Sequence, residues 1–253
     1  MIPPDLALAL LIDRTTQAYQ TNAPAYIEYR EMTHVSVPSF GRSQEVDRSV
    51  VARNSDGEAV MQDLPAGGQR VGPAFPIIPY FDPFSQFSFA WYAPNPKSIF
   101  INLARGLPWT LATPPPSSAG DVVVPYFSIW SVRYAGDSDP SHVHFLIDPT
   151  ARISGSKTLY PSEIVEDART GLPSRIVLRS TATDEVYALD YGVIDGHWVI
   201  THGTFSGTEH ALFLSFLIHV DVTYGDFSFP TSPPAQAALL PSPAPTPSAT
   251  PSP

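Results

Sequence analysis

The sequence predicts an α+β protein that is mainly β, an antiparallel sheet preceded by one helix and interrupted by an irregular insert rich in aromatic residues and proline. Three observations carry this. Apolar residues recur with period two over most of the chain beyond Tyr26, as they do when successive side chains point to opposite faces of a sheet. Turn signals such as Asn54-Ser-Asp-Gly57 and Asp195-Gly196 separate these runs at hairpin spacing. Helical patterning is found at the start of the chain. The clearest run is Ala211–Phe229, where Leu212, Leu214, Phe216, Ile218, Val220, Val222 and Tyr224 share one face. The other face begins apolar with Phe213 and Leu217, then turns polar through His219, Asp221 and Thr223. Its apolar part is far short of the ~20 residues of a membrane-spanning helix. It reads as a long last strand, covered on both faces at its start and half solvated at its end.

Taken in order, Pro3-Pro4-Asp5 followed by LALALLIDRTTQAYQ predicts a helix to about Gln20, capped by Asp5, with Leu8, Leu11, Ile12 and Tyr19 as its apolar stripe. Ile27, Tyr29, Thr33, Val35 and Val37 then share a strand face opposite Glu28, Arg30 and His34. Val46, Val50 and Ala52 face inward on the next strand, with Arg48 an exception among them. Glu58–Leu64 returns after the Asn54–Gly57 turn and completes a three-strand meander. Between Pro65 and Pro116 prolines alternate with Phe75, Tyr80, Phe84, Phe87, Trp91 and other aromatics, which forbids a regular central strand before about Phe84. This cluster is either a packed plug over the sheet or a rim over an apolar pocket. Strands resume at Val122 and include Trp130, Val132 and Tyr134, then His142–Ile147, Thr158–Asp167, Ile176–Leu178 and Tyr187–Val193. A turn at Asp167–Pro173 places Gly171 at positive φ, Asp195-Gly196 leads to Trp198 and Ile200, and a glycine-rich turn containing Ser206 precedes the last strand. The chain is thus read as one domain over residues 1–230, with the insert at 65–116. Residues 231–253, dense in Pro, Ala, Ser and Thr, are expected to be an extended or disordered tail.

Composition excludes several function classes. A net charge of −10, from 14 Lys+Arg against 24 Asp+Glu, leaves no basic stripe for nucleic acid. With no cysteine there are no disulfides, thiolate metal sites or cysteine nucleophiles. The start, MIPPDLALALLI, lacks the basic region and the small-residue cleavage site of a signal peptide. The tail nevertheless resembles those of exported and wall-spanning proteins. The expected location is the periplasm or cell envelope, or outside the cell, with a leader absent from this chain.

The order helix, meander, aromatic insert, longer meander resembles the LolA-like group of periplasmic lipoprotein carriers and lipid-binding relatives. Glu166–Ile176, EDARTGLPSRI, is similar to that family's acidic-residue–x–x–Thr–Gly–Leu–Pro turn, and His219–Pro230, HVDVTYGDFSFP, to the closing strand of uncharacterised members. The resemblance implies a strongly curved antiparallel sheet, a half-barrel around an apolar cavity, and an envelope protein that holds an acyl chain or similar ligand. No family functional residue matches a position here.

Motifs for chemistry are weak. His142 and His144 project the same way from one strand, but two imidazoles are not a metal site, and a third ligand would have to come from His197, His202, His210 or His219. Ser154-Gly-Ser-Lys157 has the Ser-x-x-Lys spacing without the helix or the partner motifs that chemistry needs. The expectation is a non-enzymatic protein with no catalytic residue, metal or cofactor. It would bind a hydrophobic small molecule or lipid, with an envelope protein as a further partner, without spanning a membrane. Candidate lining residues are Phe75, Tyr80, Phe84, Phe87, Trp91, Trp130, Tyr191, Trp198, Phe216 and Ile218. The alternative is a structural or protein-interaction module whose interior is filled by its own side chains; an enzyme would instead need His and carboxylates converging in the cavity. Open volume on the inner face separates the first two readings.

Overall fold

The computed structural model describes residues 2–65, 67–73, 78–81, 83–86, 130–136, 139–149, 159–180, 183–211 and 214–242. Its elements are helix α1 (Pro4–Thr21), strands β1 (Tyr26–Val37), β2 (Arg42–Arg53), β3 (Glu58–Asp63) and β4 (Gln69–Pro73), a short helix α2 (Pro83–Gln86), then strands β5 (Trp130–Tyr134), β6 (His142–Pro149), β7 (Leu159–Asp167), β8 (Leu172–Ser180), β9 (Val186–Ile194), β10 (His197–Ala211) and β11 (Leu214–Ser228). All eleven strands form one sheet in the order β4-β3-β2-β1-β11-β10-β9-β8-β7-β6-β5, antiparallel throughout. β4 and β5 are its two edges, so the sheet is open and not closed into a barrel. Pairing of β1 with β11 joins the first four strands to the last seven.

The turns follow from local chemistry. Asp195 (φ 49°) and Gly196 (φ 81°) both take the positive φ of a two-residue hairpin whose twist suits its strands. Gly171 has φ 66°, as its turn sequence predicts. Period two then sorts the side chains. Ile27, Tyr29, Val50, Ala52, Met61, Phe145, Ile164, Ile176, Leu189, Ile200, Val222 and Tyr224 fall on one inner face and form a single buried cluster with Leu8, Leu11 and Ile12 of α1. The opposite, outer face is largely polar, with cross-strand pairs such as Arg30–Asp47 (2.6 Å) and Arg175–Asp190 (2.7 Å).

Helix α1 packs on β5, β8 and β10. Arg14 Nη1 reaches Glu166 Oε1 at 3.1 Å, Asn22 Nδ2 donates to the Gly196 carbonyl, and the Tyr134 hydroxyl donates to the Ile2 carbonyl. Among the described residues no helix is long and apolar enough to cross a membrane.

Four details differ from the sequence reading. Helix α1 starts at Pro4 behind Pro3, so Asp5 lies inside the first turn and is not the cap; the Ala7 amide bonds to the Pro3 carbonyl. The meander has a fourth strand, because β4 pairs with β3 inside the stretch read as irregular. Gly203 to Gly207 is no turn: β10 runs straight through it, with Ser206 opposite His219 and Val186. A Cβ at Gly207 would lie 2.9 Å from Phe205 Cζ and 3.0 Å from Glu185 Cγ, so glycine is there to admit neighbouring side chains. Finally, the first part of the tail is ordered. A 3-10 helix at Ala235–Leu239 lies against β2 and β3, and Leu240 is buried. Val51 of β2 and Val60 of β3 are buried on the outer face and outside the main cluster.

Candidate functional site

Strand register brings several of the sequence-predicted lining residues to the inner face. Tyr191 pairs with Ile200, two residues from Trp198 on the same side of β10; Ile218 pairs with Gly207, and Phe216 with Glu209. Trp130 belongs to β5, opposite Pro149. Phe75, Phe87 and Trp91 lie outside the described residues, as does Ser154–Lys157.

The inner face has two unlike halves. Under α1 it is filled. The Tyr191 and Trp198 rings stack at 4.1 Å, and the Trp198 indole N–H donates to the Pro173 carbonyl at 2.8 Å, which fixes the indole plane. Tyr80 stacks on Tyr19 at 4.4 Å and donates its hydroxyl to the Tyr19 carbonyl, while the Ile200 amide donates to the Pro79 carbonyl. Phe84 is buried in the same cluster. Four predicted lining residues, Tyr80, Phe84, Tyr191 and Trp198, therefore pack as core. At the rim of this half, α1 and strands β5 to β7 leave a recess of about 290 Å³ beside Leu10, Tyr134, Val143 and Phe145, flanked by the Arg14–Glu166 pair.

On the far half, over β1 to β4, lies a groove of about 280 Å³ lined by Thr33, Val35, Gln44, Val46, Arg48, Met61 and Arg70. All seven share the inner face by register: Thr33 faces Val46, Val35 faces Gln44, and Met61 faces Arg70. Val35 also pairs with Val220 of β11, two residues from half-buried Ile218; Phe216 lies further along, its ring 5.6 Å from that of Phe40. Ile218 and Phe216 thus belong with this half.

Arg48, a lining residue, carries charge and joins a buried ion pair beside the groove. The Glu31 side chain is 1% exposed and receives Arg48 Nη1 at 3.2 Å and the Thr33 hydroxyl at 3.2 Å, both on Oε1. Arg48, 11% exposed, also holds Asp63 at 3.0 Å. Burial pushes the Glu31 carboxyl above its ordinary value, and the positive charges of Arg48 and Arg70, with the Thr33 hydrogen bond, offset this only in part. Glu31 Oε2 and the Tyr29 hydroxyl are buried with no hydrogen-bond partner among the described residues. An unpartnered buried oxygen is costly in a core. Glu31 shares parity with Tyr29 and Thr33, and Arg48 is the exception among the inward residues of its strand; across the register the two are direct neighbours, which period two alone does not reveal.

His142, His144 and His202 have polar partners other than one another. His142 Nδ1 lies 2.8 Å from Asp139 and 2.9 Å from the Ser141 hydroxyl, and His144 Nε2 lies 3.1 Å from Glu163. On the outer face His202 bridges two strands, Nδ1 to Asp190 at 3.0 Å and Nε2 to Asp221 at 3.1 Å. Burial pulls this imidazole down, but the two carboxylates outweigh it and hold its pKa above the ordinary value. Among the described residues no three such side chains are placed to hold a metal ion.

No protein-family model matches the chain, and no curated protein matches it. Solved structures similar to it include a DUF1329 family protein from Desulfovibrio piger, 9% identical, with 88% of this chain and 93% of that one covered at a TM-score of 0.34. They also include the LolA superfamily protein NE2245 from Nitrosomonas europaea, again 9% identical, with 88% of this chain and 94% of that one covered at a TM-score of 0.41.

Proposed function

We propose that this is a non-enzymatic binding protein of the cell envelope that holds an apolar ligand, an acyl chain or a lipid, on the inner face of its sheet. The observation that carries the reading is the groove over β1 to β4, where Val35, Val46 and Met61 lie beside the polar side chains of Thr33, Gln44, Arg48 and Arg70. Small-molecule sites have this make-up, an apolar lining with a few convergent polar groups that fix orientation. Placement in the envelope rests on the Pro/Ala/Ser/Thr-rich end of the chain. The alternative, an interaction module with a filled interior, is favoured by the half under α1, where Tyr191, Trp198, Tyr80 and Phe84 occupy the space.

The test is organic extraction and mass spectrometry of whatever co-purifies with the full chain, together with titration of a fluorescent fatty-acid probe. Saturable binding of the probe, weakened by Val46→Asp, is the expected result. Absence of binding by the wild-type protein would favour the filled-interior reading.

A further inference from the structure

Arg70 is the least explained side chain of the groove. It stands on edge strand β4 opposite Met61, exposed, lines the groove, and has no ion-pair or hydrogen-bond partner among the described residues. Arg48 is different, because Glu31 and Asp63 already occupy its guanidinium. An arginine fork matches a carboxylate in two parallel hydrogen bonds and remains charged at any physiological pH. The groove therefore presents, beside its apolar lining, a cation that acts on Glu31 only at a distance and holds no partner directly.

Charge narrows the occupant. In a molecule of net charge −10, exposed Arg70 is a local cation at the groove, and it complements an anionic head group.

We infer that the groove takes an amphiphile with a carboxylate head, its apolar part over Val35, Val46 and Met61 and its head on the Arg70 guanidinium. This rests on the apolar-ligand reading above and adds the head chemistry to it.

The experiment compares decanoate, decanol and decyltrimethylammonium as displacers of the hydrophobic dye N-phenylnaphthylamine from the full-length protein. Decanoate is expected to bind about ten-fold more tightly than decanol, the worth of one charge-assisted contact. Arg70→Gln should abolish that preference, and Arg70→Lys should restore part of it. Arg70 is exposed on an edge strand, so thermal melting of both variants should match wild type and certify the fold. A preference for decanoate that survives in Arg70→Gln, or an equal or greater affinity for decanol or the cation, would overturn the inference while the apolar-ligand reading stands. Failure of all three displacers and the dye to bind would overturn that reading itself.

Discussion

Arg48 holds two carboxylates, and one of them, on Glu31, is almost wholly buried. Truncating Arg48 leaves that charge uncompensated, so Arg48→Ala should lose about 3–5 kcal/mol in urea unfolding. Adding Glu31→Gln should return much of the loss. The pH dependence has a definite sign. The folded carboxyl of Glu31 titrates above its ordinary value, so its contribution is fully present below the unfolded value and is lost as pH rises through the folded one. Glu31→Gln should flatten the stability profile in that window. His202 behaves alike in a higher range, since its folded pKa is raised above 6.5 and its contribution fades as pH climbs through that raised value. An NMR titration should place its midpoint above that of a free imidazole, and Asp221→Asn should bring it down. For packing, Ile164→Ala at a fully buried position should cost about 2–5 kcal/mol, whereas half-buried Ile218→Ala beside the groove should cost about 1–2 kcal/mol. Period two assigned Ile27, Tyr29, Thr33 and Val35 to the inner face from sequence alone. It could not flag Glu31, because a carboxylate at a core parity reads as an interruption until its cross-strand arginine is known.

Strands and turns were the most legible elements, and the misreadings came where one residue type has two uses. Glycine breaks strands often enough that Gly203 to Gly207 reads as a turn, yet Gly207 is needed within β10 by Phe205 and Glu185. Gly207→Ala should therefore destabilise by about 1–3 kcal/mol through overpacking, measured as a lower Tm with the β signature of the circular dichroism spectrum retained. Proline-rich composition likewise hides the docking of Ala235–Leu239 on β2 and β3, since the strand pair that receives it is remote in sequence. Deleting residues 235–253 should expose apolar surface on β2 and β3 and cost about 2 kcal/mol, a fall in Tm of roughly 4–8 °C for a chain of this size. An unchanged Tm would mean that the 3-10 helix adds nothing to stability. The groove itself was not legible. Its lining comes from four strands whose relative register, and whose fourth member, no periodicity reveals.

At the scale of the whole molecule one core cluster runs through residues of both strand sets and of α1. A single cooperative transition is therefore expected by fluorescence and circular dichroism alike. The sheet order has another consequence. The chain passes from β4 to β5, the two opposite edges, so the backbone crosses between the strand sets only there, while β1 and β11 hold the sets together by hydrogen bonds. Helix α1 belongs to the first set in sequence and packs on strands of the second. A cut between β4 and β5 would thus leave the whole β1–β11 ladder available to hold the two pieces together. The molecule should behave as a split protein: two polypeptides divided between β4 and β5, together carrying the whole sequence, should find each other through β1 and β11, and each should serve as the other's template for folding.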